Sequence, residues 1–255
     1  MQLQHKTALV TGGAIRIGRA ISEALVDAGC RVVIHYRTSE SEANALASDL
    51  NAGKAGSAWL VRAALDTGAD CEQAFAAACE QAGHLDILVN NAAVFAKADL
   101  WETTEDDLLA QLRPNLFAPL FLMRAFARHL RTRREKTPAL TGSVVNLLDR
   151  RVASDDPGCV PYLLAKKGLA ALTRTAALSL APDIRVNGVA PGPVLPPIGL
   201  GQAYLEDHAG AIPLRDMPQP QHVAQAVLFL ARCDSVTGQI LFVDGGQHLL
   251  GNALA

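Results

Sequence analysis

Short apolar runs alternate with longer stretches of helical periodicity from one end of the chain to the other. Repetition of a strand and a helix builds a parallel sheet with helices on both faces. Most of the runs are continuously apolar, which is typical of strands covered on both sides. We therefore predict an α/β fold of Rossmann type, a doubly wound parallel sheet of seven strands. The predicted strands are Thr7–Thr11, Arg31–Tyr36, Ser57–Arg62, Asp86–Asn90, Ser143–Leu148, Ile184–Val189 and Gln239–Val243.

Length and composition favour a single domain over residues 1–255. A chain of 255 residues lies within the range of one α/β domain, and its 50% hydrophobic and 19% charged residues suit a compact soluble protein. The net charge of -2 provides no electrostatic footprint for nucleic acid or for an anionic membrane, so neither partner is expected.

Cysteine spacing and the N-terminal segment indicate the compartment. The five cysteines form no C-x-x-C pair and accompany no histidine cluster, so no metal site and no redox dithiol are predicted. The chain begins without a signal-peptide pattern, and no segment approaches the ~20 apolar residues that span a bilayer. We predict a cytoplasmic protein.

The region from about residue 190 to 220 interrupts the alternation. Six prolines between Pro193 and Pro220 break helical patterning, and no strand pattern follows Ile184–Val189 until Gln239. Long irregular segments in compact domains usually form lids or binding loops. We predict a substrate loop here.

A glycine-rich turn follows the first predicted strand. The segment Thr11–Gly18 leads into a helical pattern, so its glycines lie where a strand feeds a helix N-terminus. Such a turn lets the backbone approach a pyrophosphate, which the helix N–H groups and dipole attract. The alternative is a purely structural tight turn. The predicted cofactor contacts here are Gly12, Arg16, Ile17 and Gly18.

The end of the second strand selects between the two nicotinamide cofactors. An NAD enzyme usually has Asp or Glu here for the ribose 2′-hydroxyl, and this chain has neither. The guanidinium of Arg37 suits a 2′-phosphate, so we predict NADPH. The alternatives are an ordinary exposed arginine and, for His35, a packed strand residue. The predicted contacts are His35, Tyr36, Arg37, Thr38 and Ser39.

Tyr162 and Lys166 are four residues apart in a helical stretch, so both project from one face. A neighbouring ammonium lowers the pKa of a phenol, which predicts Tyr162 as a proton donor. This spacing occurs by chance in many helices. Its weight comes from its place after the glycine turn and after Asn90–Ala93.

Together these motifs resemble the short-chain dehydrogenase/reductase family over nearly the whole chain. The resemblance rests on Thr11–Gly18, Asn90–Ala93, Asn115, Tyr162 with Lys166, Ala190–Gly192 and Val243–Gly246. It implies that Asn115 holds a water in the proton relay and that Lys166 contacts the nicotinamide ribose. The further cofactor contacts that it implies are Leu65, Asp66, Asn91, Ala92, Ala93, Tyr162, Lys166, Pro191, Gly192 and Val194.

The family resemblance also implies a homotetramer built through the helices around Asn115 and Tyr162 and through the C-terminal region. One apolar helix face suits either such an interface or packing against its own sheet. The residues of this face are Ala165, Leu169, Leu172 and Ala176.

Asp149 departs from the family pattern. Thirteen residues before the tyrosine, most members carry a serine that polarises a substrate carbonyl, whereas this chain has Asp149. An ionised carboxylate repels a developing oxyanion and favours a substrate that presents hydrogen-bond donors. The chain is similar in this respect to pteridine reductases, a branch of the family, and Arg16 and Phe95 agree with that branch.

That branch implies a pterin held between Phe95 and the nicotinamide, with Asp149 accepting from the pterin and exchanging protons with Tyr162, and with Arg16 facing the pterin and the phosphates. Each of these residues also has a simpler interpretation. Phe95 is alternatively a core phenylalanine, and Asp149 is alternatively a strand-end cap or a salt-bridge partner. Arg16 alternatively contacts only the cofactor phosphates. Two positions depart from the branch: Ala93 replaces a serine, and Thr38 stands where arginine is common.

The sequence therefore predicts an enzyme that reduces a small pterin or folate with NADPH, using Asp149, Tyr162, Lys166 and Asn115. A 3-oxoacyl carrier-protein or other ketone reductase is the first alternative, because one scaffold serves many substrates. A catalytically silent NADPH-binding regulatory protein is the second, although the intact Asn115, Tyr162 and Lys166 oppose it.

Overall fold

A computed structural model describes residues 1–197 and 199–251, and it confirms the predicted doubly wound sheet. Within these residues seven parallel strands lie in the order β3-β2-β1-β4-β5-β6-β7. Each strand end lies within two residues of its predicted position, and the largest difference is at β6, which continues to Pro191. The strands are β1 Thr7–Val10, β2 Arg31–Tyr36, β3 Ala58–Arg62, β4 Ile87–Asn90, β5 Gly142–Leu147, β6 Ile184–Pro191 and β7 Ile240–Val243.

Helices connect the strands and cover both faces of the sheet. The helix α4 continues into α5 through a π-helical turn at Arg113–Phe117, and 3-10 turns lie at Arg150–Ala153 and Gln247–Leu250. The helices are α1 Arg16–Asp27, α2 Glu40–Gly53, α3 Gly68–Ala82, α4 Glu105–Leu112, α5 Ala118–Arg134, α6 Val160–Ser179, α7 Gln202–His208 and α8 Pro220–Arg232.

Two apolar cores explain why the strands are continuously apolar. In β1, Ala8 and Val10 pack on the face covered by α1 and α8, where Ile21 is buried. Leu9 points to the other face and packs with Phe126 of α5. Because successive side chains of a strand enter opposite cores, no polar position is needed between them. Each fully buried side chain of this size contributes about 1.5–3 kcal/mol.

The strand order creates a crevice between β1 and β4. The chain leaves β1 towards β2 on one side and leaves β4 towards β5 on the other. In doubly wound sheets ligands bind at such a reversal, outside the carboxyl ends of the strands. The glycine turn after β1 and the segment after β4 both lie at this edge.

The loop predicted at about 190–220 is less irregular than expected. Its first two residues belong to β6, and α7 lies in its middle, so the prediction of a segment without helix was wrong. Residue 198 lies outside the described residues. The helix α7 has seven residues, of which Leu205 is the buried one, and so short an element shows no periodicity in the sequence.

The apolar face of α6 packs against its own chain. Ala165, Leu169 and Ala176 are at most 8% exposed, and Leu169 contacts Leu148 and Ala190 in one buried cluster. Of the two uses left open for this face, packing on its own sheet is the one observed.

No helix described is long and apolar enough to cross a membrane. The described His, Cys, Asp and Glu residues form no group that could hold a metal ion. All five cysteines are free thiols.

Candidate active site

The glycine turn has a shape that only small residues allow. Gly12 has a φ of 59°, and a Cβ on Gly18 would lie 2.0 Å from the carbonyl oxygen of Gly12. The N-cap residue of α1, Ile15, makes no side-chain capping hydrogen bond, so the first turn of the helix presents its N–H groups. This arrangement fits the pyrophosphate of a dinucleotide.

Hydrogen bonds from the two neighbouring strands hold the turn in place. The Thr11 hydroxyl oxygen accepts from the backbone N–H groups of Asn91 and Ala92, at 2.9 and 3.0 Å. In return, Asn91 Nδ2 donates to the carbonyl oxygens of Thr11 and Gly12, at 2.9 and 3.0 Å. The predicted residue Asn91 therefore shapes the turn from the side of β4.

His35 holds the same turn from the side of β2. Its Nδ1 accepts from the N–H of Gly12 at 3.2 Å, and its Nε2 lies 3.2 Å from the carbonyl oxygen of Ala63. Burial lowers the pKa of His35 to about 4, so the ring is neutral near pH 7 and Nε2 carries the proton. Both ring nitrogens are engaged by protein, which is the packed strand residue that the sequence left as the alternative.

The predicted adenosine end contains an ion pair. Arg37 Nη1 and Nη2 donate to the two carboxylate oxygens of Asp66, at 3.3 and 3.1 Å. Both side chains are exposed, as is Thr38, whereas Leu65 is buried. The structure thus joins the residue predicted to bind the 2′-phosphate to Asp66, one of the further cofactor contacts that the family resemblance implies.

The other predicted cofactor residues lie along the same edge of the sheet. A Cβ on Gly192 would lie 2.8 Å from Asp244 Cα, so β6 and β7 approach closely here. The list comprises Ile17 in the first turn of α1, Tyr36 at the end of β2, Ser39 before α2, Ala92 and Ala93 after β4, Pro191 at the end of β6, and Val194, which is buried.

Tyr162 and Asp149 are in direct contact. The phenol oxygen of Tyr162 donates to Asp149 Oδ2 at 3.0 Å. Lys166 lies on the same face of α6, with Nζ 5.8 Å from the centroid of the tyrosine ring, and donates to the carbonyl oxygen of Leu147 at 2.8 Å. Tyr162 and Lys166 are both buried. The end of β5 and the start of α6 therefore bring the three predicted groups together.

The predicted effect of Lys166 on Tyr162 is wrong for this arrangement. The pKa of Tyr162 is raised well above its ordinary value, first by burial and then by the charge and hydrogen bond of Asp149. Burial lowers the pKa of Lys166 to about 8, against an opposing effect of Asp149. The near charge at the phenol is a carboxylate rather than the ammonium. Tyr162 therefore keeps its proton at neutral pH.

Phe95 lies at the surface beside Tyr162. The residue is 48% exposed, and its ring meets the tyrosine ring edge to face, with centroids 4.8 Å apart and an interplanar angle of 89°. The alternative of a core phenylalanine is therefore wrong. An exposed aromatic ring next to a proton donor can form one wall of a site for a flat ligand.

Asn115 fixes the segment that carries Phe95. It lies in the π-helical turn, a feature frequent at functional sites. Its Nδ2 donates to the carbonyl oxygen of Val94 at 2.9 Å, and its Oδ1 accepts from the N–H of Val94 at 3.2 Å. This paired contact holds the residue directly before Phe95.

Arg16 joins the glycine turn to the substrate loop. Its Nη2 donates to the carbonyl oxygen of Pro196 at 2.8 Å, and its backbone has a φ of 55°. Beyond this contact the loop and the start of α8 surround a cavity of about 840 Å³, lined by Val194, Leu205, Ile212, Arg215 and Met217 among others. This volume is large enough for a substituent of a small-molecule ligand.

Arg151 is a site residue that no sequence pattern singled out. It contacts Asp149 and Asp156 and lies over the ring of Phe95. It stands in the irregular connection between β5 and α6, where no periodicity relates it to its partners. The one available signal was its position two residues after Asp149.

Comparison with known proteins places these features in context. A family model described as enoyl-(acyl carrier protein) reductase matches residues 13–248. Pteridine reductase 1 of Leishmania tarentolae is 33% identical over 277 aligned residues, which cover 95% of this chain and 96% of that protein. A putative ketoacyl reductase of the granaticin polyketide synthase of Streptomyces violaceoruber is 34% identical over 250 residues, covering 95% and 96%.

Solved structures give the same picture. The crystal structure of the FolM alternative dihydrofolate reductase 1 of Brucella canis, complexed with NADP, superposes with a TM-score of 0.88. The two sequences are 34% identical, and the match covers 98% of this chain and 96% of that one. The sheet and its edge are thus shared over almost the full length.

Proposed function

The chain belongs to the short-chain dehydrogenase/reductase family, and we propose that within it the protein reduces a pterin or folate substrate with NADPH. The products would be the tetrahydro forms of dihydropterin or dihydrofolate. The similarity to a pteridine reductase and to an alternative dihydrofolate reductase supports this substrate class.

One observation carries the proposal: the hydrogen bond from Tyr162 to Asp149. A carboxylate 3.0 Å from the proton donor repels the oxyanion that forms when a ketone is reduced. The same carboxylate accepts hydrogen bonds from the N–H groups of a pterin ring. Asp149 also caps the 3-10 turn and pairs with Arg151, so both structural alternatives for it are observed beside this role.

The cofactor proposal rests on the fit of the glycine turn and of the exposed Arg37. Gly12 and Gly18 leave room for a pyrophosphate above α1, and Arg37 offers a guanidinium for a 2′-phosphate. Asp66 competes for that guanidinium, so phosphate binding must replace or share the ion pair.

The residues of the site would divide the reaction between them. NADPH supplies the hydride that reduces a C=N bond of the substrate. Tyr162 keeps its proton at neutral pH and gives it to the ring nitrogen, while Asp149 accepts from a neighbouring N–H. Phe95 would hold the flat ring of the substrate in place, and Lys166 would place its ammonium beside the ring of Tyr162.

A ketone reductase is the alternative with support from the comparisons, because the ketoacyl reductase is as similar to the chain as the pteridine reductase. Asp149 and the exposed Phe95 favour the pterin. A silent nucleotide-binding protein is less well supported, since Tyr162, Lys166 and Asn115 lie together at one edge of the sheet.

We also propose that the protein forms a homotetramer. Exposed apolar side chains on the outer sides of the π-helical turn, α5 and α6 support an interface there. They are Phe117, Leu120, Leu164 and Leu178. Sedimentation equilibrium would give four times the mass of 26.9 kDa, and a monomer would contradict this proposal.

The proposed activity is tested by NADPH consumption with dihydrobiopterin, dihydromonapterin and dihydrofolate beside an acetoacetyl thioester. We expect turnover of at least one pterin and its collapse in Tyr162→Phe. Turnover of the thioester alone would assign the ketone reductase instead. Stoichiometric NADPH binding without turnover of either class would favour the silent binding protein.

A further inference from the structure

The connection between β5 and α6 carries one side chain that contacts three parts of the site. Arg151 Nη1 lies 3.3 Å from Asp149 Oδ2, and its Nε lies 3.0 Å from Asp156 Oδ2. Its guanidinium carbon is 5.7 Å from the centroid of the Phe95 ring. Arg151 therefore links the carboxylate beside the proton donor to the aromatic wall.

Both oxygens of Asp149 are held. Oδ1 accepts from the backbone N–H of Arg151 at 2.8 Å, because Asp149 caps the 3-10 turn. Oδ2 is shared by Tyr162 at 3.0 Å and by the Arg151 side chain at 3.3 Å. A carboxylate offers about four lone-pair positions, so about one remains for a substrate N–H. Rotation of the carboxylate would break at least one of these bonds.

Arg151 also supplies the counter-charge. Asp149 is only 16% exposed, and an ionised carboxylate in such a place needs a partner. Among the described residues, Arg151 is the cation that forms an ion pair with it. The charge of Arg151 lowers the pKa of Tyr162, whereas the charge of Asp149 raises it. The arginine thus moderates the effect of the carboxylate on the proton donor.

The contact with Phe95 leaves the ring available for a ligand. A cation over an aromatic ring is attracted to one face, and a planar guanidinium stacks there better than an ammonium. Phe95 remains 48% exposed, so part of its ring stays accessible to a flat heterocycle. Arg151 would therefore fix the plane in which a substrate stacks.

We propose that Arg151 is a positioning residue that aims Asp149 and Phe95 at the same substrate. This inference rests on the proposed pterin reduction. Acting through Asp149, the arginine affects proton transfer and therefore kcat. Acting through Phe95, it affects substrate binding and therefore KM.

Two substitutions separate these effects. Arg151→Gln removes the charge and the fork, and we expect kcat/KM for a dihydropterin to fall about ten- to a hundredfold, the change that accompanies loss of a charge-assisted hydrogen bond. Arg151→Lys keeps the charge without the planar fork, so most of kcat should return while KM stays high. The NADPH affinity should not change, since Arg151 contacts neither the glycine turn nor Arg37.

A matched control removes a positive charge elsewhere. Arg128 on α5 is exposed and pairs with Glu72, so Arg128→Gln should leave kcat and KM as in the wild type. Wild-type kcat and KM in Arg151→Gln would overturn the proposal. So would an equal loss of kcat, NADPH affinity and thermal stability in both Arg151 variants, because a residue needed only for folding behaves in this way.

The wild type tests the proposed function separately. If it reduces an acetoacetyl thioester and no dihydropterin, the substrate assignment fails, and the role of Arg151 is judged by kcat for the thioester. A fall in Arg151→Gln with recovery in Arg151→Lys would still support positioning of Asp149, whereas an unchanged kcat would overturn it. Inactivity of the wild type with both substrates would overturn both proposals.

Discussion

Tyr162 donates a hydrogen bond to Asp149 across thirteen residues of sequence, at 3.0 Å. The contact is possible because β5 ends two residues before Asp149 and α6 begins two residues before Tyr162. A phenol paired with a carboxylate keeps its proton, so this relationship defines a donor with a fixed direction. The carboxylate of Asp149 also favours a substrate that presents hydrogen-bond donors over one that develops an oxyanion.

Replacement of Asp149 by serine should lower pterin turnover strongly while leaving NADPH affinity unchanged. The serine hydroxyl is shorter and neutral, so it cannot serve as the charged acceptor for a ring N–H. We expect kcat/KM for the dihydropterin to fall about a hundredfold, as for loss of a buried charge-assisted bond. Steady-state kinetics with NADPH binding followed by fluorescence would measure both. Retained pterin turnover would exclude the assigned role of Asp149.

The pH dependence of kcat should reflect Lys166. Burial lowers its pKa to about 8, so the ammonium loses its proton as the pH rises through that value. Activity should therefore be highest below pH 8 and fall above it, because the ammonium 5.8 Å from the Tyr162 ring favours the phenolate that is left after proton transfer. In Lys166→Arg the side chain stays charged, so the residual activity should show no fall there.

The adjacent lysine provides the control for this profile. Lys167 is on the same helix and pairs with Asp155 at the surface. The variant Lys167→Met should keep the wild-type profile. A fall near pH 8 that persists in Lys166→Arg would assign the titration to another group.

Substitution of Gly18 by alanine should weaken NADPH binding. The added Cβ would lie 2.0 Å from the Gly12 carbonyl oxygen and 2.6 Å from Asn91 Nδ2, so the turn must move. Overpacking of this kind costs about 1–3 kcal/mol, and we expect at least about a tenfold rise in the NADPH dissociation constant with a lower Tm. At Gly53 nothing lies within 4 Å of an added Cβ. Gly53→Ala should bind NADPH as the wild type does, and equal binding by Gly18→Ala would contradict the proposed cofactor site.

Arg37 and Asp66 should affect cofactor choice in opposite directions. Arg37→Gln removes the proposed partner of the 2′-phosphate, so NADPH affinity should fall about tenfold or more while NADH affinity changes little. Asp66→Asn releases the guanidinium from its ion pair and should raise NADPH affinity. Isothermal titration with both cofactors measures the ratio. An unchanged ratio of NADPH to NADH affinity in Arg37→Gln would assign the cofactor selectivity to other residues.

The predictable parts of the fold are those in which a local sequence pattern indicates a single type of secondary structure. The strands lie between two apolar cores, so residues such as Leu9 and Val10 mark a strand whichever face they enter. The seven-residue helix α7 buries Leu205 and is too short for a periodic pattern. Its existence depends on packing against the rest of the chain, which the sequence does not display.

The site divides in the same way. Tyr162 and Lys166 were predictable because four residues on a helix determine a shared face. The pKa of Tyr162 was not, since it depends on Asp149, which arrives from another element. Arg151 was missed for the same reason, because its partners Asp149, Asp156 and Phe95 come together only through a loop.

His35 should make the stability of the protein depend on pH. Its pKa is about 4 in the folded protein and 6.5 when exposed, because burial disfavours the charged ring. Above pH 6.5 the neutral ring carries no penalty, and below it the unfolded chain binds a proton that the folded chain resists. Stability is therefore lost as the pH falls from about 6.5 towards about 4, by up to about 3 kcal/mol.

The variant His35→Gln isolates this contribution. Glutamine can accept from the Gly12 N–H but cannot take up a proton, so it should lose less stability than the wild type between pH 6.5 and 5. His84 and His129 also have lowered pKa values, but they are present in both proteins and cancel in the difference. Exposed His208 serves as the control, since His208→Gln should follow the wild type. Urea denaturation at several pH values gives the free energy of unfolding of each protein. Parallel curves of this free energy against pH for wild type and His35→Gln would assign the titration to another group. Diverging curves would identify His35 as the group that couples protonation to the glycine turn.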